Sequence, residues 1–543
     1  MKKLFAMMLA SALLLSFAAC GNTKESQTNA SVSEETSEEA EITSELPDVC
    51  GMTEDEALAA VKAAGYSNVK TVCCHKEGSD AGTVVAQSKT AGAVYNSHDA
   101  IILQISNGLT AKESASTLIS DPLLAAREEL PEGANADYTP LNYENKRAIW
   151  LSQLDLIPVY YDYEAGVQRT EDDFAAKIDV IMKNIKDSGF NTVVVQVHPD
   201  GDSMYLSEYY PWSDYLNGNS NRDANQNLKD SDAAKLTATT YGNTSLYDLM
   251  PIMIDAAHKY GLSFQAWINP MRACAIDEMP YINDSYPIKQ WYNDPEKSET
   301  YLFKTSRRYY LNPAYEEVRD YITAAAVEIC RYYDVDGVHM DDYFYPAADA
   351  SYDRAAYEAQ DDYQALIDFR KNNVNLLVKQ IYNAVKAENK DMIFGISPAG
   401  NIDNNMNTLG ADVETWCTVI GYVDYICPQI YFGFDHATVP FDGLSRRWIA
   451  MNTEESVDMV LGVSLHKVGK YDQYAGGAGA NEWIENSDIL KRSFEWIADN
   501  LDTVDGFCVF SYQYLFDPVT GERVDYTAVE VDGFLPVMQS ISW

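Results

Sequence analysis

The residues with the clearest chemical potential lie in the stretch DVDGVHMDDYFYP, residues 334–346. Asp341 and Asp342 stand side by side after a short apolar run, and three aromatic residues and a proline follow. Carboxyl groups at the end of a strand can donate or accept a proton and can attack as nucleophiles. An acidic turn would show the same local pattern, so the surrounding elements must decide between the two interpretations.

Eight short apolar runs, bounded by turn residues and separated by helical patterns, predict the elements that position this stretch. They are RAIWLSQ from residue 147, NTVVVQV from 191, LSFQAWIN from 262, VDGVHM from 335, MIFGISP from 392, VDYICPQI from 423, MVLGVSL from 459 and DGFCVFS from 505. Alternating strand and helix imply a parallel sheet, and eight units imply an α/β fold of the (β/α)8 TIM-barrel type over residues 141–543. The polar stretch 217–245 predicts a loop over one face of this barrel.

The side chains near the ends of these strands predict a pocket. Alternation along a strand places Val193, Val195 and Val197 on the face that meets the helices, whereas the opposite face becomes polar toward its carboxyl end. That inward face carries Gln196, His198, Trp267, Asn269, His339, Asp341, Gln429 and Tyr431. A purely structural core would have Val, Ile and Leu there, and active sites of TIM barrels lie at this rim. Asp341 is therefore predicted to point into the mouth, while Asp342 points away unless it swings in once the strand has ended.

The first 45 residues predict export and a flexible attachment. Residues 1–19 combine two lysines with an apolar stretch, which is typical of a secretory signal and is short for a membrane span. The FAAC sequence that ends at Cys20 resembles a bacterial lipobox. This resemblance implies cleavage before Cys20 and lipid on its sulfur, with an ordinary signal peptide as the alternative. Residues 20–45 are too polar to fold and predict a disordered tether, so we expect a protein lipid-anchored to the cell membrane on its extracytoplasmic face.

Composition and cysteine spacing narrow the classes of ligand. The formal net charge of −42, from 82 acidic and 40 basic residues, disfavours nucleic acid and anionic lipid surfaces as partners. No His/Cys cluster has the spacing of a zinc site, and neither a metal nor a cofactor is predicted. An exported Cys50 could form a disulfide with Cys73 or Cys74, while the later cysteines are predicted to be packed thiols.

Residues 46–108 predict a small separate domain. Thr53 and Glu56 have the spacing of a capping box, a helical run follows, and Gly65 ends it. Two strand-like runs, GTVVAQS and AIILQISNG, complete one helix on a small sheet. The segments PDVCGMTEDEA, AGY and GTVVAQSKTAGAVYNSHDAIILQISNG resemble the PASTA domain, an α+β module. The resemblance implies association with the cell wall, either as a binder of peptidoglycan fragments or as a spacer, and residues 109–140 are predicted to be a linker.

The barrel resembles the glycosyl hydrolase-like 10 family through seven motifs that occur in order. They are RAIWLS, GFNTVVVQVHPDGDSMYLSEYYPWS, HKYGLSFQAWINPMR, LNPAYEEVRDYI, YDVDGVHMDDYFYP, FGISPAGN and DYICPQIYFGF. The resemblance implies a TIM barrel that cleaves glycan, and some members of the family act on bacterial wall glycans, including strands stripped of peptide. His198 departs from the pattern, because it stands where the family usually has arginine and carries no fixed charge when neutral.

The resemblance also implies roles for residues at the mouth. DGVHMD is similar to the fourth-strand pattern of other sugar-cleaving barrels, which implies that Asp341 is the nucleophile, and the family motif ranks Asp342 first as its catalytic partner. Other carboxyl groups that follow strands are Asp200, Asp202, Asp403 and Asp435. Aromatic platforms and polar contacts complete the predicted site. These substrate-binding residues are Gln196, His198, Trp267, Asn269, Arg272, His339, Tyr343, Gln429 and Tyr431.

Other functions fit the same pattern of residues. The absence of an obvious glutamic acid favours a non-catalytic glycan-binding lipoprotein, and a lytic transglycosylase or a deacetylase would act on the same glycan. His198, His339, Asp341 and Asp342 would be the ligands if the mouth held a divalent ion. Product mass separates these functions, because hydrolysis adds water, lytic cleavage leaves an anhydro end and deacetylation releases acetate.

Overall fold

The computed structural model describes residues 44–76, 78–109, 122–217, 245–276, 278–341, 344–346, 351–360 and 364–543. The predicted signal peptide, Cys20, the tether as far as residue 43, most of the polar insertion, Asp342 and Tyr343 lie outside these ranges. Within these ranges, no helix is long and apolar enough to cross a membrane.

The amino-terminal domain is one helix packed on a three-stranded sheet. Its elements are helix α1 Glu54–Ala63 and strands β1 Val69–Cys74, β2 Val84–Gln87 and β3 Ile101–Ser106. The predicted capping box is confirmed, since Thr53 and Glu56 exchange hydrogen bonds at the start of α1. Strand β3 lies in the centre of the sheet, parallel to β1 and antiparallel to β2. Cys50, Cys73 and Cys74 are free, so neither disulfide that the sequence permits is formed.

Eight parallel strands close into the predicted TIM barrel. In chain order they are β4 Lys146–Leu151, β5 Thr192–His198, β6 Ser263–Ile268, β7 Gly337–Met340, β8 Ile393–Ile396, β9 Tyr425–Ile426, β10 Asp458–Ser464 and β11 Gly506–Phe510. Strand β11 pairs with β4 and closes the ring. All eight strands coincide with the apolar runs of the sequence, so the predicted (β/α)8 architecture is confirmed.

Helices surround the barrel and account for most of the remaining regular structure. They are α2 Pro122–Ala125, α3 Gln153–Tyr160, α4 Glu171–Asp187, α5 Leu249–Lys259, α6 Pro287–Asn293, α7 Pro295–Thr300, α8 Glu316–Tyr332, α9 Arg354–Glu358, α10 Leu366–Glu388, α11 Ile402–Asn404, α12 Val413–Thr418, α13 Phe441–Met451, α14 Glu482–Glu485, α15 Ile489–Ala498 and α16 Ala528–Ser540. Helix α4 shows why they pack on the sheet: it buries Phe174, Ile178 and Ile181, which recur at helical spacing on one face.

Two small strand pairings outside the barrel are not predicted by the sequence patterns. A hairpin joins Tyr161–Asp162 to Val167–Gln168 between α3 and α4. An antiparallel sheet of Arg272–Ala275, Leu302–Lys304 and Arg308–Leu311 follows β6. Because both follow the carboxyl end of a barrel strand, they belong to the end of the barrel where the mouth is predicted.

The two faces of the barrel strands are sorted as side-chain alternation predicts. On β5, Val193, Val195 and Val197 lie in the apolar layer between sheet and helices, whereas Val194 faces the interior. The interior cluster also contains Ala148, Trp150, Trp267, Tyr425, Cys427, Val460 and Cys508. Glycine makes room for the large rings, because a Cβ atom on Gly395 would overlap the tyrosine ring of β9.

A buried carboxylate anchors the segment that precedes the barrel. Asp336 has no exposed surface and accepts hydrogen bonds from the Tyr138 hydroxyl at 2.7 Å and from the Leu141 N–H at 2.5 Å. His258 Nε2 lies 2.9 Å from the same carboxylate, and this hydrogen bond raises the pKa of His258. The end of the predicted linker is therefore held at the amino end of β7.

Candidate active site

Asp341 lies at the carboxyl end of β7, on the inside of the barrel. The preceding residues pair in register with β6, so Asp341 comes level with Asn269 on an inward row. The Ser397 N–H donates to the Met340 carbonyl at 2.7 Å, which places Ser397 on the same row from the other side. Asp341 is 3% exposed. The predicted nucleophile thus lies deep in the mouth, between the ends of two neighbouring strands.

His339 stands one inward row below Asp341 and is completely buried. Trp150 Nε1–H donates to its Nε2 at 3.3 Å, and its Nδ1 lies 2.7 Å from the hydroxyl oxygen of Tyr425. Because an indole can only donate, Nε2 is the unprotonated nitrogen and Nδ1–H donates to the tyrosine. Burial lowers the pKa of His339 to about 3, which agrees with a neutral ring. With both nitrogens engaged, His339 forms the floor of the mouth.

Gln196 and Asn269, two of the residues predicted to bind sugar hydroxyls, lie together. Gln196 Nε2 donates to Asn269 Oδ1 at 3.3 Å. Gln196 Oε1 accepts the backbone N–H of Gln153, at the start of α3, at 2.9 Å. These bonds fix both side chains, because they use both ends of the Gln196 amide and one end of the Asn269 amide.

Several buried polar atoms at the mouth have no hydrogen-bond partner within the described part of the chain. They are Gln153 Oε1, Trp267 Nε1, Asn269 Nδ2, Ser397 Oγ, Ser511 Oγ and Gln513 Nε2. Each belongs to a residue at or just after the carboxyl end of a barrel strand. Buried polar groups nearly always find partners in native proteins, so this cluster indicates groups that are reserved for a ligand. The mixture of donors and acceptors suits a ligand rich in hydroxyl and amide groups.

The predicted position of His198 in the mouth is wrong. Strand β5 carries a bulge between Gln196 and His198, which pairs His198 with Ile268, a residue of the outer apolar layer. The imidazole packs edge-on against Tyr210, with the ring centroids 4.2 Å apart, and is buried. One extra residue reverses the alternation of side chains, and a pattern of residue types does not reveal it.

Arg272, another predicted substrate contact, lies beside a buried carboxylate. Asp200, in the loop after β5, forms an ion pair with Arg308, and Arg272 Nη1 lies 3.5 Å from the same oxygen. The Tyr215 hydroxyl donates to the other oxygen at 3.0 Å. These contacts hold the two arginine side chains in place beside the Asp200 carboxyl group.

Asp202, two residues further on, has the electrostatics of a proton donor. Burial and then repulsion from Asp200 raise the pKa of Asp202 to about 7. Its Oδ1 accepts the Asp200 N–H at 3.0 Å, while Oδ2 has no partner among the described residues. The other candidates differ: a hydrogen bond from Arg447 lowers the pKa of the exposed Asp403, and Asp435 lies in a turn whose backbone is bound by a buried glutamate.

Aromatic rings line the side of the mouth that is formed by the ends of β4, β9, β10 and β11. Tyr431 packs edge-on to Trp150, with centroids 6.3 Å apart, and to His466, with centroids 5.3 Å apart. The predicted platform Trp267 belongs to the same interior cluster as Trp150. Gln429 is half-buried and donates to a backbone carbonyl at the end of β8 at 3.2 Å. Such rings offer apolar faces to the C–H surfaces of sugars.

Six of the residues at the mouth are not among those predicted from the sequence. They are Trp150, Gln153, Ser397, His466, Ser511 and Gln513. Trp150 and Ser397 stand at inward positions of quoted motifs, so alternation applied to every strand could have found them. The other four lie after strand ends, where the course of the loop sets their direction.

The described residues provide no metal site at the mouth. No group of three or more His, Cys, Asp and Glu side chains among them is arranged to hold an ion. Of the ligands considered from the sequence, His339 has both nitrogens engaged and His198 faces the outer layer. Asp342 lies outside the described residues.

A closed parallel barrel with carboxyl groups, aromatic rings and unpaired polar groups at the carboxyl ends of its strands is a TIM barrel with a candidate ligand-binding site at its mouth. Family comparison names the group. The glycosyl hydrolase-like 10 model matches residues 145–475, and the chain belongs to this family. The PASTA domain model matches residues 44–107.

The chain is also similar to two curated proteins and to one solved structure. Glycosyl hydrolase YngK of Bacillus subtilis (strain 168) is 30% identical over 343 residues, which cover 59% of this chain and 61% of that protein. Glycosyl hydrolase DigH of Escherichia coli (strain K12) is 28% identical over 405 residues, which cover 70% of this chain and 86% of that protein. The glycoside hydrolase domain of PgaB (BpsB) from Bordetella bronchiseptica superposes with a TM-score of 0.42 at 12% identity, over 72% of this chain and 99% of that chain.

Proposed function

We propose that this protein is a glycoside hydrolase that acts on bacterial cell-wall glycan. The observation that carries the proposal is the cluster of unpaired polar atoms and aromatic rings around Asp341. A sugar chain needs both features, because its hydroxyl and acetamido groups require hydrogen bonds while its ring faces pack on aromatic side chains. Membership of the glycosyl hydrolase-like 10 family and relatives named glycosyl hydrolases support the proposal.

Asp341 acts in this proposal as the nucleophile, or as the base that activates water. Glycoside cleavage also needs a carboxylic acid that protonates the leaving oxygen. Asp342 is assigned the role of this acid because of its position in the family motif YDVDGVHMDDYFYP. Asp202 is the alternative, because a carboxyl group whose pKa is raised to about 7 still carries its proton in a large fraction of molecules at neutral pH.

The neighbours of Asp341 position the substrate in this mechanism. Asn269 Nδ2 and Ser397 Oγ, both unpaired among the described atoms and level with Asp341, bind hydroxyl groups of the sugar that is cleaved. The Gln196 amide holds Asn269 in place. Trp267 and Tyr431 supply the apolar platforms. The neutral His339 supports Asp341 from below without adding charge.

Other parts of the chain support the cell wall as the source of the substrate and the cell surface as the location of the protein. The PASTA domain at residues 44–107 belongs to a type of module associated with cell walls. Residues 1–19 have the plan of an export signal, and Cys20 has the context of a lipid attachment site. We therefore propose a lipid anchor on Cys20 that holds the barrel close to the wall.

The reaction class is tested by product masses. The soluble form without residues 1–20 is incubated with peptide-free and with peptide-bearing wall glycan, and the fragments are weighed. The proposal expects fragments that have gained water. Anhydro ends would make the protein a lytic transglycosylase, release of acetate would make it a deacetylase, and co-sedimentation with intact glycan would make it a glycan-binding protein.

A further inference from the structure

The central strand β3 of the PASTA sheet is buried on both of its faces. Ile101, Leu103 and Ile105 of the central strand β3 pack with α1 in the core of the domain itself. Ile102 on the opposite face, together with Val72 of β1, belongs to the apolar cluster of the barrel, and both are 2% exposed. A sheet in a free module of this kind would leave its second face in water, so this face is built for contact with another element.

Polar contacts at the amino end of α4 complete this interface. The Glu171 N–H donates to the Ser88 carbonyl at 2.9 Å, so the PASTA domain satisfies one of the N–H groups that a helix leaves free at its start. Lys89 Nζ lies 2.9 Å from the Glu171 carboxylate. The hydroxyl oxygens of Thr90 and Thr170 lie 2.8 Å apart.

Further contacts come from other segments of the PASTA domain. The Tyr95 hydroxyl donates to the Asp172 carboxylate. Lys76, which follows β1, donates to the Gly166 carbonyl at 3.0 Å, in the hairpin that precedes α4. Contacts from three separate segments fix an orientation, because rotation about any one of them would break the others.

The topology of the barrel places this interface on the side of the mouth. Helix α4 is reached from the carboxyl end of β4 through α3 and the hairpin, and its last residues lead into the amino end of β5. The first turn of α4 therefore lies at the end of the barrel that carries Asp341.

We propose that the PASTA domain is a permanently docked part of the catalytic unit that forms a fixed side wall next to the mouth, and that a long glycan strand contacts both. The docking is inferred from the observed contacts between the PASTA domain and the barrel. The binding of glycan to both rests on the proposed function. The domain then orients the polymer relative to Asp341, and the outer face of its sheet is not available to any other partner.

Docking is tested by cross-linking in the full-length chain. Thr90→Cys and Thr170→Cys are combined in a Cys50→Ser, Cys73→Ser background and oxidised mildly. Because the two hydroxyl groups are in contact, the thiols should form an intramolecular disulfide in nearly all molecules. The control pairs Thr90→Cys with Thr503→Cys, which is exposed at the amino end of β11, and should not cross-link.

The role of the side wall is tested by undocking it from the barrel side, which leaves the PASTA fold untouched. Glu171→Lys with Asp172→Lys places positive charge against Lys89 and removes the carboxylate that accepts from Tyr95. Glu316→Lys is the control for charge reversal, since Glu316 is exposed and also begins a 17-residue helix. We expect undocking to slow cleavage of polymeric glycan by about tenfold or more while cleavage of a tetrasaccharide stays unchanged.

The outcomes separate the two proposals. Efficient cross-linking, a locked protein that still cleaves polymer at the original rate, and a polymer-specific loss on undocking would support a fixed side wall. Cross-linking no better than in the control, loss of activity on locking, or an undocked variant with full activity on polymer would overturn it. If the original protein cleaves no glycan, the proposed function fails, while cross-linking still decides whether the domain is docked.

Discussion

Replacement of Tyr425 by phenylalanine removes the hydroxyl group that accepts from His339 Nδ1–H at 2.7 Å. The ring keeps its shape, so no cavity forms, and the change acts only on the hydrogen bond. The buried imidazole cannot compensate by moving its proton to Nε2, because Trp150 Nε1–H already donates to that nitrogen at 3.3 Å. The variant therefore carries an unpaired N–H in a completely buried ring.

An unpaired buried donor costs about 1–3 kcal/mol, so we expect Tyr425→Phe to lose roughly 2 kcal/mol of stability. For a barrel of this size that loss corresponds to a fall in Tm on the order of 2–4 °C, measured by scanning calorimetry. The control is Tyr422→Phe, three residues earlier and half-buried, which should melt within about half a degree of the original protein. Equal melting of the two variants, or an imidazole nitrogen shift that shows a proton on Nε2 in the original protein, would refute the assigned tautomer.

Gly395→Ala places a methyl group against the Tyr425 ring and should destabilise the protein by about 1–3 kcal/mol in urea unfolding. The hydrogen bond to Asp336 raises the pKa of His258 in the folded protein. Protonated His258 therefore stabilises the fold fully below its ordinary pKa of about 6.5, and this stabilisation is lost as pH rises through the higher pKa of the folded state. Thermal melts between pH 6 and pH 9 should show the loss. If Asp202 is the proton donor, activity should fall above about pH 7, and Asp202→Asn should be slow and lack that fall in a pH–rate profile.

Each of these predictions has a matched control. Gly533→Ala, in α16, meets no atom closer than 3.9 Å and should not destabilise, so an equal loss in both glycine variants would contradict the packing argument. His258→Gln should flatten the change in stability between pH 6 and pH 9, and an unchanged slope would exclude His258 as its source. An activated aryl glycoside needs little help from an acid, so Asp202→Asn should cleave it normally; an equal loss on both substrates would remove Asp202 from that role.

The barrel is predictable from the sequence because its strands are short apolar runs between turn residues, and local pattern is enough to find them. Alternation then sorts Val194 and Trp267 to the interior correctly. The observed β9 is shorter than its apolar run, with only Tyr425–Ile426 in regular pairing, since Pro428 lacks the N–H that a longer ladder would use.

His198 shows where alternation fails. Its residue type and its position two after Gln196 are those of an inward side chain, yet a bulge turns it to the outer layer. The bulge depends on hydrogen bonds to the neighbouring strand, which a single run of residues does not encode. The departure from the arginine of the family therefore concerns a residue that packs against Tyr210.

The docked PASTA domain shows a second limit. Adjacent apolar residues such as Ile101 and Ile102 indicate a strand that is buried on both faces, but they do not say what covers the second face. The unpaired atoms at the mouth are beyond sequence analysis for a similar reason. The sequence does not distinguish Ser397 and Gln153 from other polar residues. Only the three-dimensional arrangement shows that Ser397 Oγ and Gln153 Oε1 have no hydrogen-bond partner among the described residues.

The central claim is that Asp341 carries out glycan cleavage at the mouth of the barrel. The most direct measurement compares the rate of release of water-added glycan fragments by the original protein, by Asp341→Asn and by Asp334→Asn. Asp334 is exposed just before the amino end of β7, so its substitution tests the same change of charge far from the mouth. We predict that Asp341→Asn is slower by roughly a thousandfold or more while Asp334→Asn keeps the original rate. A fully active Asp341→Asn protein would contradict the account.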